Sequence, residues 1–232
     1  TAFSGYYSRT EPGKQNSIKS LERSALELTA LGLGTKHIAN CFYGLFRYPK
    51  QIISHCDTQP LLRWTGEYFA DFIPLDFDNK TDPISALYSC SEALSIITQG
   101  ESTPPSLVLQ TTGHKGFCLL LPIVWTGAEP HARLAEIMRR FVQLLLPDVP
   151  VDPSNFEPAR LYRLPCTWNQ PIDPEDTFPS GYKLNLTLSE FNALGQGELD
   201  LFELWQTNNG RGVSHDELIR EWFWQDQQNP FM

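Results

Sequence analysis

The chain has 232 residues and a mass of 26.4 kDa, enough to bury a real core without disulfides or metal and to form one domain, or one domain with a small annex. Hydrophobic residues at 41% and aromatics at 12% exclude a disordered chain, and no apolar run approaches the ~18 residues that a membrane span needs. The net charge of −9 argues against non-specific coating of nucleic acid; residues 151–232 carry 5 basic against 13 acidic side chains, but residues 1–80 carry 9 against 8, which leaves room for a basic groove in the N-terminal half.

Residues 1–14 are polar and contain Gly5, Pro12 and Gly13, which predicts an extended start. No apolar stretch of a secretion signal follows Thr1, and the missing initiator Met reads as an excised fragment or a trimmed tag. Ile18, Leu21, Leu26, Leu28 and Leu31 predict a helix over Ser17–Leu33, ended by Gly32 and Gly34. Thr35 predicts the cap of a second helix running to Phe46. Strands and helices then alternate. Tyr68–Phe77 reads as a strand ending in acids, and Pro83–Thr98 as a helix closed by Gly100. Ser106–Thr111 and Phe117–Trp125 read as strands joined by the turn Thr112–Gly116. Glu129–Leu146 is a long amphipathic helix stopped by Pro147, and Arg160–Leu164 a short strand. Gln170–Gly181 is a Pro/Asp-rich loop. Leu188–Gln206 and Ser214–Asp226 look helical; Ser189-x-x-Asn192 is a poor cap, whereas Ser214-x-x-Glu217 fits a capping box. The alternation predicts an α/β (α+β) fold with an N-terminal mixed helical module and a C-terminal helical annex.

The five cysteines, Cys41, Cys56, Cys90, Cys118 and Cys166, are odd in number and widely spaced, which predicts free thiols in a reducing, cytoplasmic compartment. His37 near Cys41 and His55 beside Cys56 are the only zinc-like hint, and no CxxC accompanies them.

Three segments carry chemistry. In Pro74-Leu75-Asp76-Phe77-Asp78, residues two apart on a strand share a face, so Asp76 and Asp78 project together. Paired carboxylates repel unless a cation joins them, and hard oxygens suit Mg²⁺ or Mn²⁺. A solvated strand end is the plainer alternative. In Thr111-Thr112-Gly113-His114-Lys115-Gly116, two glycines around a lysine make a turn whose amides, hydroxyls and ammonium can face an anion; an ordinary hairpin turn is the alternative. Arg160-Leu161-Tyr162-Arg163-Leu164-Pro165-Cys166-Thr167-Trp168-Asn169 follows Asp152, and either arginine there can grip phosphate bidentately.

In this order the segments resemble the archaeo-eukaryotic primase superfamily, specifically its primase-polymerase domains, over about residues 60–185. The family shows a DxD strand end, a glycine turn opening a strand, a third Asp, and an RLPGSxN-like stretch; here these stand as PLDFD, TTGHKGFC, VD and RLPCTWN. The resemblance implies a catalytic domain over residues 1–185 with an RRM-like sheet, and residues 186–232 as a helical annex of the same domain. It implies that Asp76, Asp78 and Asp152 hold two metal ions, Mg²⁺ or Mn²⁺. It also implies that Thr112, His114, Lys115, Cys118, Arg160 and Arg163 form the nucleotide site. The function implied is a DNA primase/polymerase that uses nucleoside triphosphates on a single-stranded DNA template and primer, with further domains or a helicase as partner and no membrane.

The family's phosphate-contacting His falls on Cys118, a weaker and smaller donor. His114 stands four residues earlier and reads as a solvent-facing turn residue, able to substitute only if the turn curls back. For a template strand the candidates are Arg9, Lys14, Lys19, Arg47, Lys50 and Arg63, interleaved with Tyr6, Tyr7, Tyr48 and Trp64. Two alternatives to an active enzyme stand. One is a catalytically impaired relative that binds nucleotide or nucleic acid inside a larger replication or defence protein. The other is an unrelated α/β interaction domain.

Overall fold

A computed structural model describes residues 5–8, 19–20, 41–44, 46–49, 51–56, 58–59, 63–70, 72–79, 81–99, 107–122, 131–157, 160–163, 169 and 180–206. The chain is mixed α/β. Its centre is an antiparallel sheet in the order β10-β7-β8-β6, from β6 (Phe72–Asp78), β7 (Val108–Thr111), β8 (Gly116–Pro122) and β10 (Leu184–Leu186).

The two faces of this sheet differ because the side chains alternate. Leu75 and Phe77 of β6, Phe117 and Leu119 of β8, and Leu184 of β10 point into the main core. Against them packs the helix α2 (Pro83–Thr98), through Ala86, Leu87, Cys90, Ala93 and Leu94. Its start is written in the sequence: Asp82 accepts from the Ile84 N–H at 3.0 Å, and Pro83 supplies the first helical residue without needing a partner. Asn79 pins the approach by accepting from the N–H groups of Thr81 and Asp82. The helix closes on Gln99 in the left-handed region, φ 51°, one residue before the glycine expected to end it.

The opposite face carries Asp76 and Asp78 of β6, with Cys118 and Leu120 of β8 meeting Tyr162 in a small second cluster. Tyr162 belongs to β9 (Leu161–Arg163), the edge of a second sheet in the order β2-β1-β3-β9, with β1 Gly5–Ser8, β2 Lys19–Ser20 and β3 Cys41–Gly44. A two-stranded pair joins β4 (Phe46–Arg47) to β5 (Phe69–Ala70), and α1 (Gln51–Cys56) lies between them in the chain. The helix α3 (Leu134–Leu145) has no capping side chain of its own. The Tyr68 hydroxyl accepts from the Ala135 N–H at 2.8 Å instead. Arg139 of α3 reaches Glu157 at 2.6 Å, tying this helix to the 3-10 turn Pro153–Phe156.

Several elements differ from the sequence reading. The helix predicted from Thr35 to Phe46 is overturned where described: Cys41–Gly44 and Phe46–Arg47 are strands. Phe42, Tyr43 and Phe46 are aromatic, a class that loses rotamer freedom in a helix and fits a pleated surface. Within the helix predicted over Ser17–Leu33, Lys19–Ser20 is a strand paired with β1, and the remainder lies outside the described residues. The N-terminal module is therefore mixed where it is described, strands up to Arg47 and the helix α1 after them. Leu188–Gln206 is two helices, α4 (Leu188–Gln196) and α5 (Leu201–Gln206), broken where Gly197 takes φ 73°. Thr187 and Glu190 form the capping box of α4, two residues before the weak Ser189 cap. The strand β10 has no counterpart in the sequence reading; it crosses the 185/186 boundary and pairs with β7. The predicted helix Ser214–Asp226 and nearly all of the loop Gln170–Gly181 lie outside the described residues. Among the described residues no helix is long and apolar enough to cross a membrane.

Candidate active site

On the face of the sheet turned away from α2, a cleft of about 160 Å³ opens between β6, β8, β9 and the start of β10. That is well under the ~300–1,000 Å³ of a pocket that encloses a whole drug-sized ligand, so it can enclose one end of a ligand. Its acidic wall is Asp76 and Asp78. Its basic side is Lys115, Arg160, Arg163 and Lys183, with Thr112, His114, Cys118, Asn155, Tyr162 and Asn169 completing it.

The acidic wall is built by strand register. Asp76 pairs with Cys118 and Asp78 with Gly116. Gly116 is required there: a Cβ would fall 1.9 Å from the Phe77 carbonyl oxygen and 2.6 Å from Asp78 Oδ1. Asp76 Oδ2 accepts a 3.3 Å hydrogen bond from Asn155 Nδ2, whereas Asp76 Oδ1 is buried with no hydrogen-bond partner. Burial first, and then the charge of Asp78, raise the Asp76 carboxyl to about 7, against the pull of Lys183 and Arg160. Partial desolvation also raises Asp78, which stands at the mouth, with Arg160 opposing.

Asn155, fully buried, organises the floor. Besides Asp76, its amide reaches the Asp152 carbonyl at 3.2 Å, and its Oδ1 accepts from Arg160 Nε at 2.9 Å. Its own carbonyl accepts from the Tyr162 hydroxyl at 2.7 Å. This holds Arg160 with its guanidinium toward the cleft. Asp152 heads the 3-10 turn and lies against the strand end, its N–H donating to the Asp76 carbonyl at 3.2 Å. Its carboxylate accepts from the Ser154 N–H at 2.9 Å and hydroxyl at 2.7 Å, with Arg160 Nη2 at 3.8 Å, and its charge helps raise both Asp76 and Asp78.

The turn after β7 is tied by its hydroxyls. Thr112 Oγ1 accepts from the Gly116 N–H at 3.0 Å, and Thr111 Oγ1 accepts from the Gly113 N–H at 3.2 Å and from the Trp205 indole. Gly113 adopts φ 76°, where a side chain would also strike the backbone of Tyr182. Asn169 Nδ2 donates to the Thr112 carbonyl at 3.0 Å, so the last residue of RLPCTWN clasps this turn. The turn curls His114 inward: it is 7% exposed, and its Nδ1 lies 3.5 Å from the Ser180 hydroxyl. The expectation that it faces solvent is thereby corrected. Cys118 is buried on the floor, and burial, then Asp76, push its thiol well above the ordinary range. It is a neutral group there.

The structure thus brings Asp76, Asp78, Thr112, His114, Lys115, Cys118, Arg160 and Arg163 around one cleft. Asp152 is placed beside it by its backbone, with its carboxylate engaged elsewhere. Among the described residues no three His, Cys, Asp or Glu side chains converge as a metal-holding group, so the predicted three-Asp convergence is not assembled; the N–H and hydroxyl of Ser154 take the third carboxylate. The two-Asp wall does fit a divalent cation, with hard oxygen donors and an orphaned Oδ1. Of the candidates for template contact, Arg47 and Tyr48 are buried, and Tyr48 stacks on Tyr68 at 6.0 Å. Arg9, Lys14 and Lys50 lie outside the described residues, as does His37 of the zinc hint; His55 packs edge-on against Trp64.

Sequence reading missed Asn155, Tyr162 and Lys183. Lys183 is 3% exposed, and burial lowers its ammonium, opposed by Cys118 and Asp76. The alternation Lys183-Leu184-Asn185-Leu186 was its one signal, a short strand hidden behind the Pro/Asp-rich loop. Comparison of the chain with known protein families, curated proteins and solved structures finds no match.

Proposed function

We propose that the cleft takes the metal-bound phosphate end of a nucleoside triphosphate, and that the protein is a primase-polymerase extending a primer on single-stranded DNA. The observation that carries the reading is the pairing of opposites in one cleft: a buried, unpartnered carboxylate oxygen on Asp76 faces a basic side made of Lys115, Arg160, Arg163 and Lys183. An ion of either sign leaves one wall unsatisfied. A divalent cation carrying a polyphosphate satisfies both. The sequence resemblance of the same residues to primase-polymerase domains supplies the reaction class.

In that reaction the primer 3′-oxygen forms a bond to the α-phosphorus, the bond to the β-phosphate oxygen breaks, pyrophosphate leaves and the hydroxyl proton passes to solvent. Asp76 and Asp78 would hold Mg²⁺ or Mn²⁺, which would supply positive charge to the transfer. The chain's own groups bind and orient. Arg160, locked by Asn155, and Arg163 present guanidinium donors to phosphate. Lys115 adds a point charge from the turn, and Thr112 and His114 line the cleft beside it. Cys118 contributes a protonated thiol, so phosphate recognition falls to the cations around it. Asp152 steadies the end of β6 through its N–H. The base and sugar extend beyond the cleft, toward template and primer. Free thiols at Cys90 and Cys118 support a reducing, cytoplasmic setting.

One observation favours a second reading: the Asp152 carboxylate is turned to Ser154 and Arg160, which suits a catalytically impaired relative that binds nucleotide inside a larger replication or defence protein. Thermal melts with Mn²⁺ and a nucleoside triphosphate test the shared premise. Both readings require stabilisation that needs metal and triphosphate together; the absence of any shift removes both. Primer extension then separates them.

A further inference from the structure

Lys183 is the least expected charge in the cleft. It is 3% exposed, and its ammonium lies over the face of Tyr162, with the ring centre 5.9 Å away. A buried charge is costly, so something in the cleft must offset it. Strand register shows what does. Lys183 stands one residue beyond the Leu184–Thr111 pair, in the row that runs from Asp78 through Gly116 and Thr112 to Lys183. Gly116 has no side chain, so in this row nothing from β8 stands between the lysine and Asp78, while Cys118 of β8 stands opposite Asp76. The ammonium attracts Asp76 and Asp78 through the cleft and is repelled by Arg163.

We propose that Lys183 is the internal counter-ion of the Asp76–Asp78 pair and couples cation binding to anion binding in this cleft. The inference rests on the reading of the cleft as a metal–phosphate site. Without a metal, the lysine offsets the two carboxylates at a distance, and phosphate gains little from it. A divalent cation at the carboxylates cancels that attraction and replaces it with repulsion. The ammonium then lacks its electrostatic offset, and an anion entering the cleft supplies it. Cation and anion therefore bind with positive cooperativity, each raising the affinity of the other by the same factor.

The test is calorimetric titration of Mn²⁺ into the metal-free protein, with and without sulfate, a tetrahedral dianion that complexes Mn²⁺ only weakly, at matched ionic strength. In the wild type, sulfate should strengthen Mn²⁺ binding about tenfold, within the usual range of coupling between sites. Lys183→Met and Lys183→Gln should bind Mn²⁺ alone more tightly than the wild type and lose the sulfate effect, while Lys183→Arg, which keeps the charge, should retain it. Unchanged or weaker Mn²⁺ binding by whichever uncharged variant folds, or a sulfate effect that survives in it, overturns the inference and leaves the site reading standing. A wild type that binds no Mn²⁺ overturns both.

Discussion

Replacing Asp76 by asparagine removes a charge that the metal-free protein holds at a cost. The native carboxyl keeps its proton up to about pH 7, whereas in the unfolded chain it ionises near 3.8. Below the lower value both states are protonated and stability is unaffected. As pH rises through the window the unfolded chain ionises first, and stability is lost until the native group also ionises. The full loss is about 4 kcal/mol, reached above pH 7, against roughly 2 kcal/mol near pH 5, with one pH unit worth ~1.36 kcal/mol. The substituted amide titrates nowhere and can still accept from Asn155. Its NH₂ group also brings a donor with no partner, a cost of about 1–3 kcal/mol that does not depend on pH. The informative quantity is therefore the difference between two pH values, in which that cost cancels. Urea unfolding with chelator present should show Asp76→Asn more favourable relative to wild type near pH 8.5 than near pH 5, by roughly 2–3 kcal/mol. A difference that stays flat with pH, or reverses, would mean that the Asp76 carboxylate is satisfied in the folded protein and that the acidic wall is no place for an added cation.

Two further substitutions probe the walls of the cleft. Gly116→Ala sets a Cβ 1.9 Å from the Phe77 carbonyl oxygen, inside the β6–β8 ladder. It should lower stability by several kcal/mol, about 3 or more by analogy with overpacked cores, read as a thermal melt; a melt matching wild type would contradict the register of Asp78 on Gly116. Cys118→His enlarges a side chain on a floor that is 1% exposed, while His114 already occupies the cleft. The expected result is a loss of about 1–3 kcal/mol with no gain in nucleotide KM. A large fall in KM would show that the site lacks an imidazole that the cations do not replace.

The parts of the site legible in sequence are those whose cause is local. The period of two in Leu75-Asp76-Phe77-Asp78 puts apolar residues on one face and acids on the other. Asp82-Pro83 starts α2, and the glycines of Thr112–Gly116 make the turn. What stayed hidden depends on partners distant in the chain. Asn155 earns its place through Asp76, 79 residues away, and nothing in Pro153-Ser154-Asn155-Phe156 announces it. Lys183 and Asn185 lie at and on a three-residue strand whose partner Gln110 is 75 residues from Asn185. The misread helix ending at Phe46 failed for a related reason: Cys41–Gly44 becomes a strand because β1 and β9 flank it on both sides, and tertiary pairing outweighs a local cap at Thr35. Asp152 donates its N–H to the Asp76 carbonyl while its carboxylate is held by Ser154; a loop Asp followed by Pro153-Ser154 caps its own turn, a local preference that the resemblance to a metal ligand obscured.

Primer extension on a single-stranded DNA template, with deoxynucleotides and ribonucleotides supplied separately and Mg²⁺ or Mn²⁺ present or chelated, is the most direct test of the proposed reaction. Metal-dependent extension by the wild type, abolished in a folded Asp78→Ala variant, is the predicted result. Extension by Asp78→Ala at the wild-type rate would contradict the mechanism, and absence of extension by a wild type that binds metal and triphosphate would leave the non-catalytic reading in its place.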